Sequence, residues 1–265
     1  MRPLDEQTVL ITGATDGLGR ALARDLAGRG MTVLVHGRDR ARGQAVVDEL
    51  GSRARLYLAD LASLAQVRAM AAAIKADVDR LDVLVSNAGI GREVPGGPAR
   101  QESADGVELR FAVNYLAGYL LTRELLPLLR AAGSARIVNV SSAAQMLLDL
   151  DDVHLTRGYS GTRAYSQSKL AQILSTVDLA EELEGTGITV NALHPATFMP
   201  TKIVATPTST IEEGVEATAR LVVDPALEGV TGRYFDGLRE TRAHEQAYDP
   251  AARAALRRLS DELVG

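Results

Sequence analysis

The sequence predicts an α/β fold: a doubly wound parallel sheet of about seven strands with helices on both faces, in one domain spanning 1–265. Two observations predict it. Short apolar runs alternate with helical patterns from end to end. The runs are apolar at consecutive rather than alternate positions, as strands covered on both sides must be. A chain of 265 residues with 46% hydrophobic content also suffices for one large core of this kind and is short for two.

The first strand is expected at Thr8-Val9-Leu10-Ile11. Further strands are expected at 31–35, 55–58, 81–85, 135–140 and 188–193, with a last short one at 232–235. Helices are expected at 17–28, 39–50, 63–78, 103–131, 162–184 and 209–222. Strand–helix alternation demands right-handed crossovers, hence parallel neighbours. Glycine and proline cluster at 91–98, and polar residues at 148–161. Both loops follow strand ends, the edge where open α/β sheets bind ligands.

Composition narrows the function. The net charge of −5 offers no basic footprint for nucleic acid. Cysteine is absent, which removes disulfides and thiolate-bound zinc and fits a reducing compartment. His36, His154, His194 and His244 lack ligand spacing, so no metal is expected. The polar start, Met1 to Glu6, has no signal-peptide character, and no apolar run reaches the length of a membrane span. A soluble cytoplasmic protein is expected.

The first strand runs into Thr12-Gly13-Ala14-Thr15-Asp16-Gly17-Leu18-Gly19, and helical periodicity starts at Leu18. A glycine-rich turn between strand and helix lets the backbone approach a pyrophosphate, with the helix N-terminus aimed at it. The spacing G-x-x-x-G-x-G is neither the G-x-G-x-x-G fingerprint nor a P-loop. The second strand ends in Val35-His36-Gly37-Arg38, without the acidic residue that binds ribose hydroxyls in NAD sites. Arg38 stands where it would meet a 2′-phosphate, so NADP(H) is preferred over NAD(H), although Asp16 would repel that phosphate. Arg38 opening the next helix is the bland alternative. Asp60-Leu61, after the third strand, has two readings: an adenine contact, or Asp60 as helix N-cap.

Tyr165 and Lys169 stand four residues apart, on one face of a helix. An ammonium beside a phenol favours the phenolate. Free tyrosine has a pKa of about 10, and lowering it by two or three units corresponds to roughly 3–4 kcal/mol. Such a phenol exchanges protons near neutrality, as a general acid/base must. An ordinary exposed pair has the same spacing, so the accompanying motifs decide.

Those motifs resemble the short-chain dehydrogenase/reductase family, with its Rossmann fold. Thr12-Gly13-x-x-x-Gly17-x-Gly19 matches its cofactor turn, Asn87-Ala88-Gly89 its Asn-Ala-Gly motif, and Tyr165-x-x-x-Lys169 its catalytic pair. Asn114, and Ser142 of Ser141-Ser142, fall where that family has its asparagine and serine. His194-Pro195-Ala196-Thr197 resembles the segment beside the nicotinamide, which extends through Phe198. The match runs from about Thr8 to Phe235. It implies that Tyr165 protonates a carbonyl oxygen or deprotonates an alcohol, and that Lys169 lowers the Tyr165 pKa and binds the ribose. It further implies that Ser142 holds the substrate oxygen, while Asn114 holds the helix and a relaying water. Asn87 is expected to stabilise the sheet and the glycine turn, and His194 to pack at a strand end.

Two departures stand out. Ala196 replaces the usual glycine, so angles open only to glycine would be strained there. The stretch between Ser142 and Tyr165 is enlarged, which resembles the retinol dehydrogenase and carbonyl-reducing branch. This loop, near 143–164, is expected to wall the substrate pocket with Met146, Leu147, Leu148, Leu155 and Tyr159. A lid is expected near 197–220, centred on 197–210. The resulting expectation is an NADP(H)-dependent oxidoreductase acting on a fairly apolar carbonyl compound or alcohol. Alternatives are a non-catalytic dinucleotide-binding sensor or scaffold, or an NAD-dependent alcohol dehydrogenase. The helices 103–131 and 162–184 suit packing against copies of themselves, as homodimer or homotetramer.

Overall fold

The computed structural model describes residues 1–93, 99–200 and 206–265. Parts of the 91–98 loop and of the expected 197–210 lid, namely 94–98 and 201–205, lie outside the described residues.

Eight strands form one sheet in the order β3-β2-β1-β4-β5-β6-β7-β8. They are β1 (Thr8–Ile11), β2 (Thr32–Gly37), β3 (Ala54–Leu58), β4 (Val83–Ser86), β5 (Ala135–Val140), β6 (Ile188–His194), β7 (Tyr234–Asp236) and β8 (Arg239–Thr241). The first seven are parallel, and β8 runs antiparallel to β7 through a hairpin at Gly237. The eighth strand exceeds the expected seven because Arg239-Glu240-Thr241 is a polar edge segment with no apolar run to announce it.

The helices are α1 (Gly17–Gly28), α2 (Arg40–Leu50), α3 (Leu64–Asp77), α4 (Leu109–Phe111), α5 (Ala117–Ala131), α6 (Gly161–Glu182), α7 (Ile211–Val223) and α8 (Pro250–Val264). The strands bury both faces. Leu10, Leu34, Leu84 and Ile137 join the core beneath α3, α5 and α6. Val9, Val33, Val85 and Val138 join the opposite core with α1 and α7. Side chains alternate across a strand, so consecutive apolar residues serve two cores at once. Each fully buried side chain of this kind is worth about 1.5–3 kcal/mol relative to exposure.

One expected helix is shortened, the expected lid overlaps the expected helix at 209–222, and one helix is new. The helix expected at 103–131 begins at Leu109, capped by Glu108, and passes through a π turn at Ala112–Leu116. Residues 211–220, within the expected lid, belong to α7, which buries Ala217 and Thr218. The C-terminal α8 was not expected. Its signals are an Asp249 cap and Pro250 in the first turn. It packs on α6 through Arg253–Glu181 and Arg257–Asp178 and reaches the start of α5, where Ser260 meets Tyr115 and Asp261 accepts from Tyr119.

The sheet order reverses between β1 and β4, where Ile11 is in register with Val85. That switch point leaves a crevice beyond the carboxyl ends of the strands. Thr12, Arg38, Asp60, Asn87, Ser142 and Pro195 all follow strand ends there.

Candidate active site

The glycine turn is fastened before any ligand arrives. Asn87 Nδ2 donates to the Thr12 carbonyl at 2.8 Å and the Gly13 carbonyl at 3.3 Å. Thr12 Oγ1 accepts from the Asn87 and Ala88 amides at 2.9 and 3.0 Å. Asn87 thus ties the turn to the sheet, with Ala88 beside it. Gly13 and Gly17 have φ of +66° and +48°, the left-handed region that glycine enters freely. A Cβ on Gly19 would lie 2.3 Å from the Gly13 carbonyl oxygen, so nothing larger lets α1 start so close to the turn. This cradle, at a helix N-terminus, fits a dinucleotide pyrophosphate.

Polar neighbours set the adenosine end. Asp16 caps α1 by accepting from the Gly17 amide at 2.9 Å. Arg42 reaches Asp16 at 3.9 Å, which offsets the negative charge expected to repel a phosphate. Arg38 is exposed at the end of β2 and does not open α2, which is capped by Asp39. Thr15 packs where a Cβ on Gly37 would stand. Asp60 is not the cap of α3 either: Ser63 is, and Asp60 accepts from the Ala62 amide. Leu61 is buried in the core beside Tyr57 and Leu64, and so is Leu18 beneath the glycine turn.

His36 also holds the glycine turn. Its Nδ1 accepts from the Gly13 amide at 3.1 Å, and its Nε2 therefore donates to the Ala59 carbonyl at 3.1 Å. Burial holds this imidazole down at about 4, neutral across the physiological range. No local pattern reveals the role, because its partners lie 23 residues away on either side.

At the other end of the crevice, Tyr165 and Lys169 rise from α6, whose cap is Ser160. Ser142 follows β5, with its hydroxyl on the side of the Tyr165 phenol, where it favours the ionised form. Its own hydroxyl accepts from the Ala144 amide at 3.0 Å. The Ser142 carbonyl accepts from Tyr234 at 3.0 Å and Gln145 at 3.2 Å, two supports that were not anticipated. Ser141 turns away and donates to the Lys169 carbonyl.

Asn114 lies inside the π turn. Its Oδ1 accepts from the Ile90 amide at 2.7 Å, and its Nδ2 donates to the Ile90 carbonyl and to Ser168. The extra residue of a π turn reaims one side chain without ending the helix. Gly89 keeps the space in front of it open: a Cβ there would sit 3.3 Å from Asn114 Oδ1 and 3.4 Å from Lys169 Nζ.

Lys169 corrects one expectation. Its ammonium lies 5.9 Å from the Tyr165 ring centroid and donates to the Val140 carbonyl and Gln172, each at 3.0 Å. With no carboxylate among these partners, burial pushes the lysine down to about 7. The Tyr165 phenol is not lowered but raised, by burial first, with Ser142 and Arg92 pulling it back. The desolvated lysine is a poor fixed cation, so it does not lower the phenol in this state.

The nicotinamide end departs less than expected. Ala196 avoids the left-handed region, and Phe198 enters it instead with φ of +51°. Thr197 hydrogen-bonds His194 at 3.0 Å, and its carbonyl accepts from Thr208 and Ser209. His194 is a packed strand-end histidine held low by burial. Pro195 is buried, and Phe198 is half exposed.

The enlarged loop is not the apolar wall expected. Leu148 and Leu155 are buried at 3% and 1% exposure, and the Tyr159 hydroxyl accepts from Arg110. Met146 and Leu147 alone of that set are exposed apolar side chains. Leu148 and Val153 of this loop join the core instead.

Among the described residues, no group of histidine and carboxylate side chains is placed to hold a metal ion, and no helix is long and apolar enough to cross a membrane.

Comparison with known proteins agrees with this geometry. The family model described as short chain dehydrogenase matches residues 7–211. Retinol dehydrogenase 14 of Mus musculus is 36% identical over 292 residues, covering 98% of this chain and 86% of its own. A crystal structure of an uncharacterised protein from Mycobacterium paratuberculosis superposes with a TM-score of 0.80 at 30% identity, covering 98% of this chain and 93% of that one. The 3-ketoacyl-(acyl-carrier-protein) reductase of Brucella melitensis, solved with NADH, gives a TM-score of 0.71 at 29% identity, with 88% and 97% covered.

Proposed function

Since the chain belongs to the short-chain dehydrogenase family, we propose that it is an NADP(H)-dependent oxidoreductase interconverting an apolar aldehyde or ketone and its alcohol. The observation that carries this reading is the pairing of the Tyr165 phenol with the Ser142 hydroxyl, beside a desolvated Lys169. A sensor needs only the cofactor half of this crevice.

The nicotinamide, when bound, supplies the hydride in reduction and receives it in oxidation. Thr12 to Gly19 would hold the pyrophosphate, Arg38 a 2′-phosphate, Asp60 and Leu61 the adenine, and Asn87 to Gly89 the middle of the cofactor. Lys169 would hold the ribose, and Pro195, Thr197 and Phe198 the nicotinamide end. Ser142 donates to the substrate oxygen and orients it. Tyr165 gives that oxygen a proton in reduction and takes it back in oxidation. Lys169, poised near neutrality, resupplies the proton, and Asn114 fixes the π turn behind it.

An apolar substrate is favoured by the exposed Met146, Leu147 and Phe198, and by the relative named for retinol, an apolar alcohol. Reduction of a series of unbranched aldehydes, followed by NADPH absorbance, tests the reading. Saturable turnover that is lost in Tyr165→Phe is the expected result. Absence of turnover with every carbonyl tried, despite tight NADPH binding, would favour the sensor.

A further inference from the structure

Gln172 lies on α6, one turn beyond Lys169, and is buried at 5% exposure. Its Oε1 accepts from Lys169 Nζ at 3.0 Å, while the Val140 carbonyl accepts from the same ammonium at 3.0 Å. An ammonium has three protons to donate. The space left for the third lies beside Gly89, where a Cβ would sit 3.4 Å from Nζ. Gln172 and Val140 together therefore aim Lys169 at the crevice.

The residue type matters at this contact. Glutamate there would hold the lysine charged, and an apolar side chain would leave a buried proton without an acceptor. A neutral acceptor supports the ammonium and still lets it give up a proton. Facing the ammonium are Tyr165 on α6, Val140 on β5, Gly89 after β4 and, bordering the same space, Asn114 in the π turn. Of these only Tyr165 titrates, so one neutral contact weighs heavily on the lysine.

The other side of Gln172 meets a narrow cleft between α5 and α6. Ser86, Gly118, Thr122, Asn139 and Gln172 line it, and Lys169 does not. Ser86 and Asn139 are partners in register on β4 and β5. The cleft has a volume of about 20 Å³, enough for one water. Ser86 Oγ is buried there without a protein partner, the kind of group that a bound water satisfies. Gln172 thus stands between the ammonium and a polar, water-sized space.

We propose that Gln172 is a positioning residue for Lys169, which holds the ammonium against Val140 with its third proton toward the crevice and closes off the cleft behind it. The inference rests on Lys169 serving the proposed oxidoreductase, but its test needs no turnover. The chain has three lysines, Lys75, Lys169 and Lys202. The full chain, free of cofactor, is labelled with 13Cε-lysine, and the Lys169 resonance is identified by its loss in Lys169→Met. Its titration is then followed by NMR.

Gln172→Met keeps the shape without the acceptor and should lower the midpoint by about one pH unit, whereas Gln172→Glu should raise it by about one or more. Gln172→Ser leaves room for water from the cleft to reach the ammonium, so its midpoint should lie above that of Gln172→Met. A midpoint unmoved in Gln172→Met or Gln172→Glu, or moved the opposite way in either, overturns the proposal. A Gln172→Ser midpoint at or below that of Gln172→Met overturns the closure of the cleft. Should Gln172→Met fail to fold, Gln172→Leu takes its place, and the nearly isosteric Gln172→Glu decides the hold on the ammonium by itself: a rise supports it and no rise overturns it. Should wild type turn over no carbonyl compound, the proposed function fails while the order of these midpoints still decides the role of Gln172.

Discussion

The Gly13 amide donates to Nδ1 of His36 at 3.1 Å, and the next amide, Ala14, donates to the His36 carbonyl at 2.9 Å. One residue at the end of β2 therefore holds two consecutive amides of the glycine turn. Its neutral state is a condition of that arrangement, since a protonated Nδ1 cannot accept.

His36 should make stability fall with acid in a particular window. Its folded pKa is about 4, below the ordinary 6.5, so between these values the unfolded chain binds the extra proton. The contribution is complete above pH 6.5 and is lost as pH falls toward 4, in total roughly 3 kcal/mol. Urea unfolding at pH 7 and pH 5 should show this loss in wild type and a flatter dependence in His36→Asn, whose side-chain oxygen can still accept. Equal slopes would show that the imidazole does not carry it.

Tyr165→Phe is expected to lower kcat at least 1,000-fold, and Ser142→Ala roughly 10–100-fold, the scale of losing a proton donor and a single orienting hydrogen bond. Dissociation constants for NADPH should stay within about threefold in both, because neither side chain belongs to the glycine turn.

Lys169→Met should abolish turnover and yet raise the melting temperature by roughly 3 °C. The sign follows from a folded pKa near 7 against an ordinary 10.5: at pH 7.5 the unfolded chain holds a proton that the folded chain releases, so the lysine costs stability there. Calorimetry of the cofactor-free protein checks it. A lower melting temperature would mean that the bonds to Val140 and Gln172 outweigh the desolvation.

Arg38→Ala should weaken NADPH binding roughly 10–100-fold and leave NADH within about threefold, the discrimination expected of a charge-assisted contact to one phosphate. Isothermal titration of both cofactors measures it. Tighter NADH binding in wild type would overturn the NADP(H) preference.

The sheet and its two helical layers were legible because consecutive apolar residues admit few arrangements other than strands buried on both faces. The motifs were legible because each spans a short stretch with its own geometry: a turn, a helical pair, a strand end. The fastenings between them were not. Arg110 meets Tyr159 49 residues away, and Tyr234 meets Ser142 92 residues away. Periodicity records that a side chain is buried, not which distant group receives it. The state of Lys169 was hidden for the same reason, since it depends on burial, which its spacing from Tyr165 does not record.

The π turn at Ala112–Leu116 carries one consequence for any attempt to redesign this chain. Upstream of it, Arg110 addresses the loop beyond β4; within it, Asn114 addresses Ile90 and α6; downstream, Tyr119 addresses the last helix. Those three directions coexist on one continuous rod only because the winding slips by a residue there. Winding all five positions ordinarily would rotate the upstream part by about 100°, whereas deleting one would keep the flanks aligned and lose the offset residue that aims Asn114. Chain length at this point is thus as much a component of the active site as any side chain in it, and a substitution scan that preserves length would never detect it.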